Sequence, residues 1–133
     1  MSAPGDEADG LSRLIGIEYL GLDGDRVRAR LEVTPKVMQP FGVVHGGALA
    51  SLAESLCSRA TYEQVAAEGM VALGQANQTT FLRPISSGHV NAAAVARHRG
   101  RTTWVWDCEL SNDEQRVCAL SRMTIAVRPA QRD

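Results

Sequence analysis

Apolar positions recur along the chain with two different periods. From Arg26 to Val33 polar and apolar residues alternate strictly (Arg, Val, Arg, Ala, Arg, Leu, Glu, Val), which predicts a strand with Val27, Ala29, Leu31 and Val33 facing a core. From Leu49 to about Tyr62 the period lengthens. Leu49, Leu52, Ala53, Leu56 and Ala60 fall on one stripe at helical spacing, so this stretch predicts a helix buried along that stripe. Strand character then returns over Val71–Leu82 and ends at Arg83-Pro84, because proline cannot donate to a sheet ladder. Val90–Ala96, Thr102–Leu110 and Val117–Val127 follow as three more strands, with turns at Arg99-Gly100-Arg101 and at Asn112–Gln115, giving an antiparallel meander. Leu11 to Leu20 is mildly amphipathic and fits either a short helix or a leading strand; Asp23-Gly24 after it is a turn signal. One long helix among antiparallel strands predicts an α+β domain whose sheet wraps the helix.

Composition narrows this picture. A chain of 133 residues, 44% hydrophobic and 22% charged, is long enough for one domain with a core and too short for two. Residues 11–129 are expected to form it, with 1–10 a flexible, small and acidic segment and 130–133 a tail. A formal net charge of -1 gives no general attraction to nucleic acid or an anionic membrane, so neither is an expected partner. Without an apolar run of spanning length or a signal-like start, the expected location is the cytoplasm. Cys57, Cys108 and Cys118 form no Cys-x-x-Cys pair and are expected to be buried thiols, neither a disulfide framework nor a zinc knuckle. His45, His89 and His98 are too scattered in sequence to suggest a metal site, and no metal or cofactor is expected. Trp104 and Trp106 share a sheet face, where burial is the ordinary role.

The candidate chemistry gathers between residues 39 and 58. Gln39-Pro-Phe-Gly-Val-Val-His45-Gly46-Gly47 is a glycine-rich approach to the helix, and a helix start of this kind leaves backbone N–H groups free for negative charge. On the side opposite the apolar stripe lie Ser51, Glu54, Ser55 and Ser58. A solvated helix face would favour long, strongly helix-forming residues. Three serines beside one carboxylate instead let another surface come close, a partner subunit or a ligand.

These features resemble the hotdog-fold thioesterases, in particular the branch of phenylacetyl-CoA and aryl-CoA thioesterases. The resemblance rests on the Gln39 to Gly47 segment, Glu54 eight positions after Gly46, Ser58 one turn on, and Asn77-x-x-x-Phe81-Leu82-Arg83-Pro84. It implies a five- or six-stranded antiparallel sheet wrapped around one long helix, a homodimer joined edge to edge, and often a tetramer of two such dimers. It implies two sites per dimer, in which a helix carboxylate acts across the boundary from the helix start that binds the carbonyl. The substrate would be an acyl-CoA, with coenzyme A as part of the substrate and no separate cofactor.

Thioester hydrolysis needs a stabilised carbonyl oxyanion and an oxygen nucleophile. On the resemblance, the Gly46 N–H is the oxyanion donor, and Glu54 is either a general base toward water or a direct nucleophile forming a mixed anhydride. Ser58 would hold the attacking water and Gln39 would orient the carbonyl or the carboxylate. Two roles are open for His45, one beside the departing sulfur and one fixing the loop before the glycines. Gly47 and Asn77 join the substrate-contacting candidates. Arg99 and Arg101, flanking Gly100, are candidates for the coenzyme A phosphates, with Arg83 and Ser87 as weaker ones. A hydratase on the same fold would require an Asp and His pair, and no Asp precedes His45. The remaining alternative is a hotdog module that binds acyl-CoA without turnover.

Overall fold

The alternation at Arg26–Val33 is realised as a strand with Val27, Ala29 and Leu31 buried and Val33, just past its end, packed against the core. The computed structural model describes residues 10–131, so all but Gly10 of the expected flexible segment 1–10, and the last two residues of the expected tail, lie outside the described residues. Both alternatives for Leu11–Leu20 occur. A single helical turn, α1 (Leu11–Ile15), closes on Gly16 in the left-handed conformation (φ 88°), and β1 (Ile17–Asp23) leaves from there. Glycine is suited to that position because it has no Cβ to strain.

The remaining elements are β2 (Arg26–Glu32), α2 (Gly46–Val65), β3 (Met70–Phe81), β4 (His89–Arg99), β5 (Thr103–Ser111) and β6 (Val117–Pro129), with single 3-10 turns at Pro35–Val37 and Ala66–Glu68. All six strands form one antiparallel sheet in the order β1-β2-β4-β5-β6-β3. The expected meander is β4-β5-β6. β3 stands outside it, because α2 lies between β2 and β3 in the chain and carries the latter to the far edge, where it pairs with β6 alone.

The predicted stripe is the buried one. Leu52, Ala53, Leu56, Cys57 and Ala60 of α2 pack against Leu31, Val90, Leu110, Met123 and Ile125 of the sheet. Each fully buried leucine of this set contributes about 1.5–3 kcal/mol relative to exposure. Trp104 and Trp106 are buried with their rings stacked, as their spacing implies. The Trp106 indole donates to the Thr61 hydroxyl at 2.9 Å, and that hydroxyl donates to the Cys57 carbonyl at 2.8 Å, so the buried polar atoms under the helix are satisfied. The three cysteines are free and buried. The Cys108 thiol beside it and its burial push the Cys57 thiol well above its ordinary range, which keeps it protonated and unreactive.

Candidate active site

The helix start is held from both sides before the first turn begins. Val44 N–H donates to the Ile85 carbonyl and His45 N–H to the Val37 carbonyl, both at 2.8 Å, which clamps this segment between the 3-10 turn and the β3–β4 connection. Upstream, Gln39 N–H donates to the Val43 carbonyl (2.8 Å) and Gly42 N–H to the Gln39 carbonyl (3.1 Å), folding residues 39–43 into a tight loop. His45 is the N-cap of α2. Its Nδ1 accepts from the Gly47 N–H at 2.9 Å, and its carbonyl accepts from Ala48 at 2.9 Å and from Leu49 at 3.3 Å. A ring that accepts at Nδ1 in its neutral form carries its proton on Nε2. This contact ties the His45 ring to the glycine pair at the helix start. Gly46 N–H has no acceptor among the described residues, so one amide at the positive end of a 20-residue helix stays free.

Glu54 is exposed, two turns into α2, and its carboxylate is positioned by β3. Asn77 Nδ2 donates to Glu54 Oε1 at 3.3 Å and to the Ala50 carbonyl at 2.9 Å. Thr79 donates to Asn77 Oδ1 at 2.6 Å and meets the Ser121 hydroxyl at 2.9 Å, so a polar chain running inward from Glu54 fixes the amide that holds it. Gly74 gives the carboxylate its place. A Cβ there would lie 2.8 Å from Glu54 Oε2 and 2.9 Å from its Cδ. Asn77, expected among the substrate contacts, is thus also the residue that orients the carboxylate. Ser58, one turn beyond Glu54, is half-buried. Ser55 is taken up by α1 through a 2.9 Å contact with the Ser12 hydroxyl, which leaves Ser51, Glu54 and Ser58 as the narrower polar face.

Along the helix, the Gly46 N–H and Glu54 are eight residues apart, a rise of roughly 12 Å. Arg83 and Ser87 are exposed on the β3–β4 connection, whose Ile85 is bonded to Val44, and so stand near the Gly46 end. Arg99 and Arg101 are elsewhere. Arg99 lies in the cross-strand row Arg99, Trp104, Ile125, Gly74, three strand spacings or roughly 14 Å from Gly74, and its guanidinium covers the Trp104 ring at 5.6 Å. One chain therefore gathers Gln39, His45, Gly46, Gly47, Arg83 and Ser87 at one end, Glu54, Ser58 and Asn77 at the other, and leaves the Arg99 hairpin apart. Two open hollows of about 460 and 480 Å³ lie on the outer sheet face, and neither is lined by Glu54 or Gly46. Among the described residues no cluster of three His, Cys, Asp or Glu side chains is placed to hold a metal ion.

Sequence reasoning passed over Gly74 and Thr79. A glycine inside a strand is itself a signal of close approach, and Gly74 carries that signal.

Residues 41–119 match the Thioesterase superfamily. A crystal structure of a mutant thioesterase from Pseudomonas aeruginosa superposes with a TM-score of 0.88 at 38% identity, covering 92% of this chain and 88% of that one. The 1,4-dihydroxy-2-naphthoyl-CoA hydrolase of Listeria monocytogenes is 35% identical over 90% of this chain and 96% of its own length. The proofreading thioesterase EntH of Cronobacter turicensis is 35% identical over 85% of this chain and 82% of its own. With the six-stranded sheet wrapped on α2, these similarities establish that the chain belongs to the thioesterase superfamily and has the hotdog fold.

Proposed function

We propose that the protein is an acyl-CoA thioesterase, hydrolysing a thioester to a free acid and coenzyme A, with aromatic acyl groups as the preferred class. The observation that carries this is the pairing of a free helix-start amide with a carboxylate fixed by Asn77 over Gly74. The similarity to a naphthoyl-CoA hydrolase supports the choice of an aryl-CoA.

The separation of the two groups supports a shared site. A carbonyl oxygen at hydrogen-bond distance from Gly46 N–H, about 3 Å, places its carbon several ångströms short of Glu54 on the same helix. Glu54 therefore serves a carbonyl held by the Gly46 of a second copy, and the exposed edge of β3 is the surface through which two copies join in a homodimer. Two such dimers form the tetramer.

In the reaction, Gly46 N–H and the helix dipole stabilise the oxyanion; losing one such donor costs about 3 kcal/mol in the barrier. Glu54 takes a proton from water as the water oxygen bonds to the carbonyl carbon. The tetrahedral intermediate then expels the thiolate, breaking the C–S bond, and the proton held by Glu54 passes to sulfur. In the alternative covalent route the Glu54 carboxylate bonds to the carbonyl carbon and the C–S bond breaks, the thiolate leaving to take up a proton; water then cleaves the mixed anhydride, releasing the acid and a proton and restoring the carboxylate. Ser58 holds the water, Gln39 orients the carbonyl or the carboxylate, Gly47 lines the approach, and Arg83 with Ser87 receives the coenzyme phosphates.

The test is thiol release from a panel of acyl-CoAs by wild type and Glu54→Ala. Turnover is expected to fall at least about a hundredfold, the scale of a lost general base, with the melting temperature retained. Equal rates would remove Glu54 from the chemistry. Acyl-CoA binding without thiol release by the wild type would replace the enzyme with a binding module.

A further inference from the structure

Both phenylalanines of the chain are exposed, although the tryptophans are buried. Phe41 is 87% exposed in the loop ahead of α2, and Phe81 is 54% exposed at the end of β3. Phe81 pairs with Ala119 of β6, which is fully buried, so Phe81 points to the helix side of the sheet, where an apolar side chain ordinarily joins the core. Its ring reaches the start of α2 instead. A Cβ on Gly46 would lie 2.8 Å from Phe81 Cζ, 3.0 Å from Cε2 and 3.2 Å from Cε1, so the tip of the ring abuts the very residue whose N–H is free. The missing side chain at Gly46 is what admits the ring.

We infer that Phe81 is the specificity-determining wall of the acyl site, a ring that packs on the acyl group of the thioester held at Gly46; this rests on the thioesterase reading above. A carbonyl oxygen bonded to Gly46 N–H puts both substituents of that carbonyl within reach of Phe81. The ring offers an apolar face and edge and no hydrogen-bonding group. The pantetheine arm carries two amides that need polar partners, whereas an acyl group needs none, so the acyl side is the one the ring suits. An aromatic acyl group gains most, because two rings attract beyond simple area burial in offset or edge-to-face contact at about 4.5–7 Å between centroids. An acetyl group is too small to make that contact.

The experiment compares kcat and KM for benzoyl-CoA and acetyl-CoA in wild type, Phe81→Ala and Phe81→Leu, with the sedimentation coefficient and melting temperature of each. In Phe81→Ala the ratio of benzoyl to acetyl kcat/KM is expected to fall about tenfold, chiefly through KM, because contact with the unreacting part of the substrate is made before and during the reaction alike. Phe81→Leu restores apolar bulk without the ring and is expected to recover the ratio in part. The assembly state is expected to be unchanged. An unchanged ratio, or equal losses for both substrates, overturns the inference. Dissociation of the assembly in both variants overturns it in favour of Phe81 as a subunit contact. Absence of thiol release from any acyl-CoA by the wild type is a different failure: it removes the thioesterase reading itself and this inference with it.

Discussion

Gly74 illustrates how a residue without a side chain can position one that has chemistry. Its φ is not in the left-handed region, so the strand itself tolerates alanine there, and the new methyl would meet Glu54 Oε2 at 2.8 Å. The carboxylate is the movable partner. Gly74→Ala is expected to lower kcat about ten- to a hundredfold by displacing it, with a melting temperature close to wild type. A variant that folds normally and turns over at the wild-type rate would show that the seat of the carboxylate is immaterial. At this scale the motif made Glu54, Gly46 and His45 legible as candidates, since a glycine pair, an N-cap and a lone carboxylate all leave marks in sequence. The holding chain of Ser121, Thr79 and Asn77 was not legible. It depends on β3 lying beside β6 and under α2, a three-dimensional adjacency between residues 42 positions apart across the sheet and 23 and 27 apart between strand and helix.

Elements were read more fully than their arrangement. Strict alternation identified β2, turn signals and proline bounded the later strands, and the stripe identified the helix face, because burial on one side writes itself into every second or every third and fourth residue. Strand order leaves no such mark, and the register shifts at Gly74/Ala76 and Ala96/His98 leave little. The outer sheet face shows what alternation puts on the polar side. Asp107 of β5 accepts from Arg122 of β6 at 2.8 and 3.0 Å and from Arg97 of β4 at 2.8 Å, bridging three strands. The Arg122 hydrogen bond, with Arg97, holds the Asp107 carboxyl below its ordinary value of 3.8 despite partial burial. A lowered folded value means the stabilisation is complete above that ordinary value and is lost as pH falls through the lowered one. Asp107→Asn is therefore expected to melt lower than wild type near neutrality, with the gap narrowing as melting curves are taken from about pH 6 toward pH 2. A gap that stayed constant across that range would sever Asp107 from the acid response. The contact is screened at the surface, so the difference is expected to be small and to shrink with salt.

The proposed shared site makes the whole molecule larger than one chain. Sedimentation is expected to give an even multiple of the 14.3 kDa chain mass, and a single chain that hydrolyses acyl-CoA at full rate would overturn the shared site. The sheet's two borders differ in a way that bears on this. β3 presents 12 residues of ladder, whereas β1 has seven and carries Glu18 and Asp23 tied to Arg30 and Arg28. A short, charged margin is a poor template for another strand. If both margins were equally receptive, copies would add end over end and the protein would grow into a filament. With one margin blunted, the proposed joining through β3 about a twofold axis would use up the receptive border that the described residues offer on each copy, and growth would terminate at a finite, closed particle.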